Sequence, residues 1–316
     1  MFWGCANTRT PRRAAIPELG HSHRNPMRRI GLIAALSCLL FTTPLSRADT
    51  LPSAAGPATC LDSATAETAV AHTNTRIVII IDDLGHSLRR GMQALELPGA
   101  VTYAVIPFTA HGRQLANAAF DAGKEVMLHA PMSTLEKTPL DAGGLTSELS
   151  REEFNTALLA ALENIPHVRG VNNHMGSDLT TRRQQMAWLM RELRWQDLYF
   201  VDSRTNKETV AATVAAEFKV PHLSRHVFLD NERSLEAIAE RFEVLLAKAR
   251  DEGLAVAIGH PYPETIEFLT TTLPVLSSQG VRLVSVSDAL ALNPETESVE
   301  EISVALSSPA ACCPAC

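Results

Sequence analysis

The stretch Arg76-Ile77-Val78-Ile79-Ile80-Ile81-Asp82-Asp83-Leu84-Gly85 sets five consecutive branched apolar residues directly before two adjacent carboxylates. An apolar run without polar alternation is the pattern of a central parallel strand covered on both faces, and such strands carry their ligands at the carboxyl end. Adjacent Asp residues repel one another, so the pair needs a cation, a shared proton or water to compensate. Two readings follow for this strand end. Either it carries catalysis or metal binding, or Asp83 caps the helix that begins near Ser87.

Downstream of Arg76, short apolar runs at about 77–81, 101–106, 125–128, 168–171, 198–201, 226–229, 254–258 and 281–286 alternate with stretches of helical period. That alternation specifies parallel βα units. Ser150-Arg151-Glu152-Glu153 is a capping box before a helix with Phe154, Leu158, Leu159 and Leu162 on one face. A second amphipathic helix runs near 234–251, with Gly253 just beyond its end. Seven or eight such units in residues 75–291 predict a distorted or complete (β/α) barrel. No glycine-rich phosphate loop interrupts them.

The flanks read differently. Met27 opens a segment with Arg28 and Arg29, the apolar run Ile30 to Phe41, and Ser46-Arg47-Ala48, which together fit a secretory signal peptide over 27–48. Residues 1–26 then read as an over-extended start. The apolar run is too short to favour spanning a bilayer, so no stable membrane insertion is expected after cleavage. Cys38 follows Ala-Leu-Ser and lacks the Leu expected three residues before a lipidated cysteine. Residues 49–74 read as an Ala, Thr and Ser linker, and 292–316 as a disordered tail. Without residues 1–48, which hold seven of the 28 basic residues and one of the 35 acidic ones, the net charge is −13. That argues against nucleic acid or anionic lipid as partners. The protein is expected in the periplasm or outside the cell. There the tail cysteines Cys312, Cys313 and Cys316 can pair as a disulfide, whereas a zinc knuckle would need a fourth ligand.

The unusual polar residues gather at the predicted strand ends: Asp82 and Asp83 after the first, His129 after the third, His174 after the fourth, Asp202 after the fifth and His260 after a later one. In a parallel barrel these ends converge on one rim, where active sites are built. One or more carboxylates with two imidazoles, plus further acid and base groups, is the composition of a hydrolytic zinc or related divalent-metal site.

Five motifs in order, Ile81-Asp82-Asp83-Leu84-Gly85, His129-Ala-Pro-Met132, Asn173-His174-Met-Gly-Ser177, Asp202-Ser203-Arg204-Thr205 and Gly259-His260-Pro261, resemble those of the divergent polysaccharide deacetylases. That family is related to the metal-dependent carbohydrate-esterase deacetylases, whose fold is a distorted (β/α) barrel. The resemblance covers about Arg76 to Leu290. It implies that Asp82 is the catalytic base, that Asp83 and His129 are metal ligands, and that His260 is the general acid. The wider group's second metal histidine lies four residues after the first, and here that position is Ser133. His174, at the end of the next strand, is the replacement expected from barrel geometry. Asp202 is expected to orient His260 or to bind sugar hydroxyls, and its other reading is a self-bonded turn. Asn172 and Asn173 are read as turn residues; His86, His111, His222 and His226 as surface or packing residues.

The implied reaction is metal-assisted hydrolysis of an N-acetyl group on a polysaccharide or peptidoglycan-like glycan, with zinc as the expected ion. Two other readings stand beside it. One is an inactive deacetylase-like module that binds glycan or a periplasmic partner protein. The other is a metal-dependent hydrolase with a different substrate. Three Trp and three Tyr in the whole chain leave few aromatic platforms for sugar rings and keep both alternatives open.

Overall fold

A computed structural model describes residues 75–292. The signal peptide, linker, tail and all six cysteines of the sequence reading lie outside the described residues. Among the described residues nine strands form one sheet with every pairing parallel: β1 (Thr75–Leu84), β2 (Thr102–Val105), β3 (Glu125–Met132), β4 (Val168–Met175), β5 (Tyr199–Asp202), β6 (His222–Ser224), β7 (Val227–Phe228), β8 (Leu254–Gly259) and β9 (Val281–Leu283). Eight α-helices of the same described residues accompany them: α1 (Leu88–Leu95), α2 (Gly112–Asp121), α3 (Arg151–Asn164), α4 (Arg183–Trp195), α5 (Ala211–Glu217), α6 (Leu235–Glu252), α7 (Pro263–Thr272) and α8 (Val286–Ala291). Among the described residues no helix is long and apolar enough to cross a membrane.

The strand order is β6-β5-β4-β3-β2-β1-β8-β7. The sheet's two ends are neighbouring pieces of one chain segment. His222–Ser224 pair with β5, the Arg225 N–H donates to the Asp202 carbonyl, and the His226 N–H donates to the Val256 carbonyl before Val227 and Phe228 pair with β8. The curled sheet is therefore a distorted (β/α) barrel whose seam is a strand shared between two neighbours. That sharing is why the run expected at 226–229 yields only a two-residue strand. The additional β6, His-Leu-Ser, has too little apolar pattern to show in the sequence. β9 pairs with Thr75–Ile77, below the point where β2 joins β1 at Ile80.

β1 is the strand that the Ile run predicts. Ile77 to Ile81 are fully buried, and each such side chain contributes about 1.5–3 kcal/mol relative to exposure. Successive side chains serve different layers. Ile77, Ile79 and Ile81 pack with helix residues such as Leu115, Phe242 and Leu245. Val78 and Ile80 pack inside the barrel with Met127, Val201, Val256 and Ile258, and Val286 and Ala289 of α8 join that inner cluster. The α3 capping box forms as read, with Ser150 Oγ accepting from the Glu153 N–H and Glu153 accepting from the Ser150 N–H. Gly253 ends α6 at φ 79°, a left-handed conformation that favours glycine.

Candidate metal centre and its acid-base partners

The two-residue alternation decides which strand-end side chains reach the barrel mouth. Asp82 continues the inner series of Val78 and Ile80, His129 follows Met127, and His260 follows Ile258. On β4, Val171 packs outward, so Asn172 and His174 belong to the inner series. Asp83 by alternation would face the helices with Ile79 and Ile81. It takes φ 59° instead, and the β1–β2 register shifts between Ile81 and Leu84. This bulge brings the neighbouring carboxylates to the same side, which an unbroken strand does not do. The cap reading of Asp83 does not hold, because Ser87 caps α1 by accepting from the Arg90 N–H.

Asp83 Oδ1, His129 Nε2 and His174 Nδ1 form a near-equilateral triangle. The edges are 3.2 Å from Asp83 to His129, 3.0 Å from Asp83 to His174 and 3.1 Å between the imidazoles. Asp83 Oδ1 is buried and has no partner that meets hydrogen-bond geometry, although both ring nitrogens lie within 3.2 Å of it. Burial raises the pKa of this carboxyl, but the two imidazoles outweigh that effect and hold it well below the ordinary carboxylate range. For His129 burial works against the charged form, and the Asp82 and Asp83 carboxylates outweigh it, raising its pKa. Donors about 2.1 Å from a shared ion stand about 3.0 Å apart at octahedral angles and about 3.4 Å apart at tetrahedral ones. A buried carboxylate oxygen without a donor, at that spacing from two ring nitrogens, fits a divalent cation.

Asp82 is 2% exposed. Its Oδ1 accepts from Asn172 Nδ2 at 2.8 Å, and its Oδ2 lies 3.5 Å from His129 Nε2. Burial raises its pKa, opposed by the nearby His129 and His260 charges, so this is a carboxylate shifted toward proton uptake. His260 presents Nε2 at 3.9 Å from Asp83 Oδ2. Its Nδ1 is 2.8 Å from Asp230 Oδ1, and its backbone N–H donates to Asp230 Oδ2 at 2.6 Å. Thr265 Oγ1 donates to that same oxygen at 2.7 Å. Burial alone lowers the His260 pKa, but the Asp230 hydrogen bond and charge reverse it and push it up to about 9.

The carboxylate that orients His260 is thus Asp230 and not Asp202. Asp202 follows Val201, which packs inside the barrel, so alternation turns it to the helix side with Phe200. There Oδ1 accepts from the Arg204 N–H at 2.8 Å and Oδ2 from Thr209 Oγ1 at 2.9 Å, the self-bonded turn that was the other reading. Asp230 escaped notice because β7, the strand before it, is the shortest, though the signal was the same: an Asp directly after Val-Phe-Leu. Ser133 is occupied elsewhere, its Oγ donating to Asp178 at 2.9 Å. The Asn pair does not form a turn. Asn172 lies in β4 between His129 and Asp82, while Asn173 Nδ2 donates to the Met175 carbonyl and its Oδ1 accepts from the Ser203 N–H. His86 pairs with Asp141 at 3.2 Å, and the other Asp141 oxygen lies 3.6 Å from His174 Nε2, so His86 is linked to the site's periphery. His222 and His226 bond locally to the Val220 carbonyl and the Val256 N–H, as packing residues do.

Fold and rim together define a deacetylase-like (β/α) barrel with a candidate cation site at its mouth. The chain belongs to the divergent polysaccharide deacetylase family, whose profile matches residues 79–290. It is 37% identical over 194 residues to the uncharacterized protein YibQ of Escherichia coli (strain K12), an alignment that spans 61% of this chain and 61% of that one. It is also 32% identical over 221 residues to an uncharacterized protein of Haemophilus influenzae, covering 70% of this chain and 79% of the relative. Among solved structures, the uncharacterized protein ATU2773 from Agrobacterium tumefaciens C58 shares the fold, with a TM-score of 0.66 at 21% identity, over 68% of this chain and 89% of that chain.

Proposed function

We propose that the protein is a metal-dependent hydrolase that removes acetyl groups from an N-acetylated polysaccharide or peptidoglycan-like glycan. The observation that supports this most is the juxtaposition of the Asp83, His129 and His174 donors with a buried, proton-accepting Asp82 and an Asp230-held His260. Two imidazoles and one carboxylate suit zinc. A divalent ion held by these three residues would lower the pKa of a hydrolytic water and polarise the acetyl carbonyl.

Asp82 takes the proton from the attacking water, and its raised pKa favours that uptake. Asn172 holds Asp82 Oδ1, which leaves Oδ2 on the metal-donor side, 3.5 Å from His129 Nε2. His260 donates its proton to the departing amine, a role that needs a protonated imidazole at neutral pH, and Asp230 maintains that state. A cavity of about 160 Å³ opens beside Asp83 between α1 and the β8–α7 loop, lined by His86, Ser87, Arg90, Pro261 and Tyr262. It offers room for the acetamido group or part of a sugar ring.

Metal analysis of the purified protein, with acetate release from chitin oligomers, peptidoglycan fragments and acetylated exopolysaccharide, tests the proposal. About one zinc per chain and release from at least one substrate are expected; a metal-loaded protein that releases none overturns it. We place the activity in the periplasm or outside the cell, on the strength of the signal-peptide pattern at 27–48. Mass spectrometry that finds peptides of residues 1–26 on the mature protein contradicts that placement.

A further inference from the structure

One side chain at the barrel mouth touches both the proposed base and a proposed metal ligand. Asn172 is fully buried. Its Oδ1 stands 2.7 Å from His129 Nδ1, and its Nδ2 donates to Asp82 Oδ1 at 2.8 Å. The β3–β4 register places His129 directly beside Asn172, and the inner series of β4 aims the amide into the gap between His129 and β1.

An amide has one accepting end and one donating end. Reversed, it would turn Nδ2 toward His129 Nδ1, which must then give up its proton and carry it on Nε2, the atom that faces Asp83 and His174. The reversed oxygen would also meet Asp82 Oδ1, an opposition of acceptors that only protonation of Asp82 relieves. The observed orientation alone gives His129 a bare Nε2 and Asp82 a charged carboxylate together. It also leaves Asp82 Oδ2 as the oxygen without an amide partner.

We propose that Asn172 is a positioning residue that couples the two halves of the centre, holding His129 as the Nδ1–H tautomer and Asp82 by Oδ1 so that Oδ2 accepts the proton. Outer partners of this kind set ring orientation and ligand basicity in metal sites. The half concerning Asp82 rests on the deacetylase reading; the half concerning His129 does not. A residue that only filled space would be replaceable by any side chain of its size.

The test compares Asn172→Asp, isosteric with Asn, and Asn172→Leu, which has the same number of side-chain heavy atoms but no polar group, with the unaltered protein. In metal-free protein carrying ¹⁵N-labelled histidine, at a pH high enough to leave the His129 ring neutral, the His129 signal, assigned by its loss in His129→Gln, should report Nδ1–H in the unaltered protein and in Asn172→Asp. It should lose that fixed tautomer in Asn172→Leu. Zinc affinity, read by chelator competition, should stay within about threefold in Asn172→Asp and fall about 10–100-fold in Asn172→Leu. Zinc-loaded Asn172→Asp should lose about 10²-fold or more in kcat with KM little changed, because its second oxygen opposes Asp82 Oδ1. Asn172→Ala, which likewise carries no polar group, replaces the Leu variant should that one fail to fold, with the same expectations. Unchanged tautomer and zinc affinity in the Leu or Ala variant overturn the His129 half, and full kcat in Asn172→Asp overturns the Asp82 half. If the unaltered protein releases no acetate while the NMR and zinc results are as expected, the deacetylase reading fails and the hold on His129 stands.

Discussion

Asp230 grips His260 twice, by the imidazole Nδ1 at 2.8 Å and by the backbone N–H at 2.6 Å, so that ring and backbone are fixed by one carboxylate. The ring cannot rotate away without breaking the side-chain bond, and Thr265 holds the carboxylate from behind. This grip makes His260 a charged donor at neutral pH, with its pKa pushed up to about 9 against the effect of burial.

Activity that depends on protonated His260 should therefore persist through neutral pH and fall as pH rises through about 9. Asp230→Asn removes the charge and should move that alkaline limb down toward the ordinary imidazole range near about 6.5. The same linkage bears on stability: a raised folded-state pKa gives stabilisation that is fully present below about 6.5 and lost as pH rises through the folded value. The pH profile of kcat/KM from pH 5 to 10, paired with thermal unfolding over that range, checks both effects. An alkaline limb that does not move in Asp230→Asn removes His260 from the role of acid.

The metal ligands give a second expectation. Asp83→Ala, His129→Ala and His174→Ala should each lower zinc affinity by at least about 10–100-fold, since changes to mere outer partners already cost that much. Ser133→Ala should leave it unchanged, because Ser133 Oγ is committed to Asp178. Isothermal titration with zinc decides this. Full occupancy in His174→Ala would show that β4 does not supply the third ligand.

How much of this was legible beforehand depended on whether a feature has a sequence period. The Ile77–Ile81 run announced a buried central strand, and the positions of His129, His174 and His260 after apolar runs announced the rim. Alternation on the strands, applied more strictly, would have separated Asp202 from the site, since Val201 packs inward and its neighbour must turn outward. Two features had no such signal. The bulge that brings Asp83 beside Asp82 depends on a left-handed residue that is not glycine, and nothing in Asp-Asp-Leu-Gly requires it. The closure at 222–229 depends on one short segment dividing its hydrogen bonds between β5 and β8, which is a property of the assembled sheet.

Asp202 should accordingly matter for stability more than for chemistry. Its two oxygens, on a buried side chain, hold the Arg204 N–H and Thr209 Oγ1 of a largely exposed turn, and losing them in Asp202→Ala should cost about 1–3 kcal/mol. The metal-loaded variant should keep kcat within about threefold, below the 10²–10⁴-fold effects of positioned acids and bases. Denaturant unfolding and steady-state kinetics measured on the same preparation separate the two. A large loss of kcat at unchanged stability would return Asp202 to the catalytic set.

Asp82→Asn separates hydrolysis from metal binding. The amide is nearly isosteric, and Asp82 is outside the Asp83, His129 and His174 triangle, so fold and most of the zinc affinity should survive. Asn cannot take up a proton, however, and its NH₂ can meet Asn172 Nδ2, so the inner amide pair must also adjust. Deacetylation should fall by about 10²–10⁴-fold, the usual contribution of a positioned general base. His260→Ala should behave similarly, with the largest loss on substrates whose leaving amine most needs a proton. If the metal-loaded unaltered protein binds a glycan as tightly as Asp82→Asn does and neither releases acetate, the non-catalytic module is the correct reading, and the buried carboxylate serves only to hold Asn172 and His129 in place.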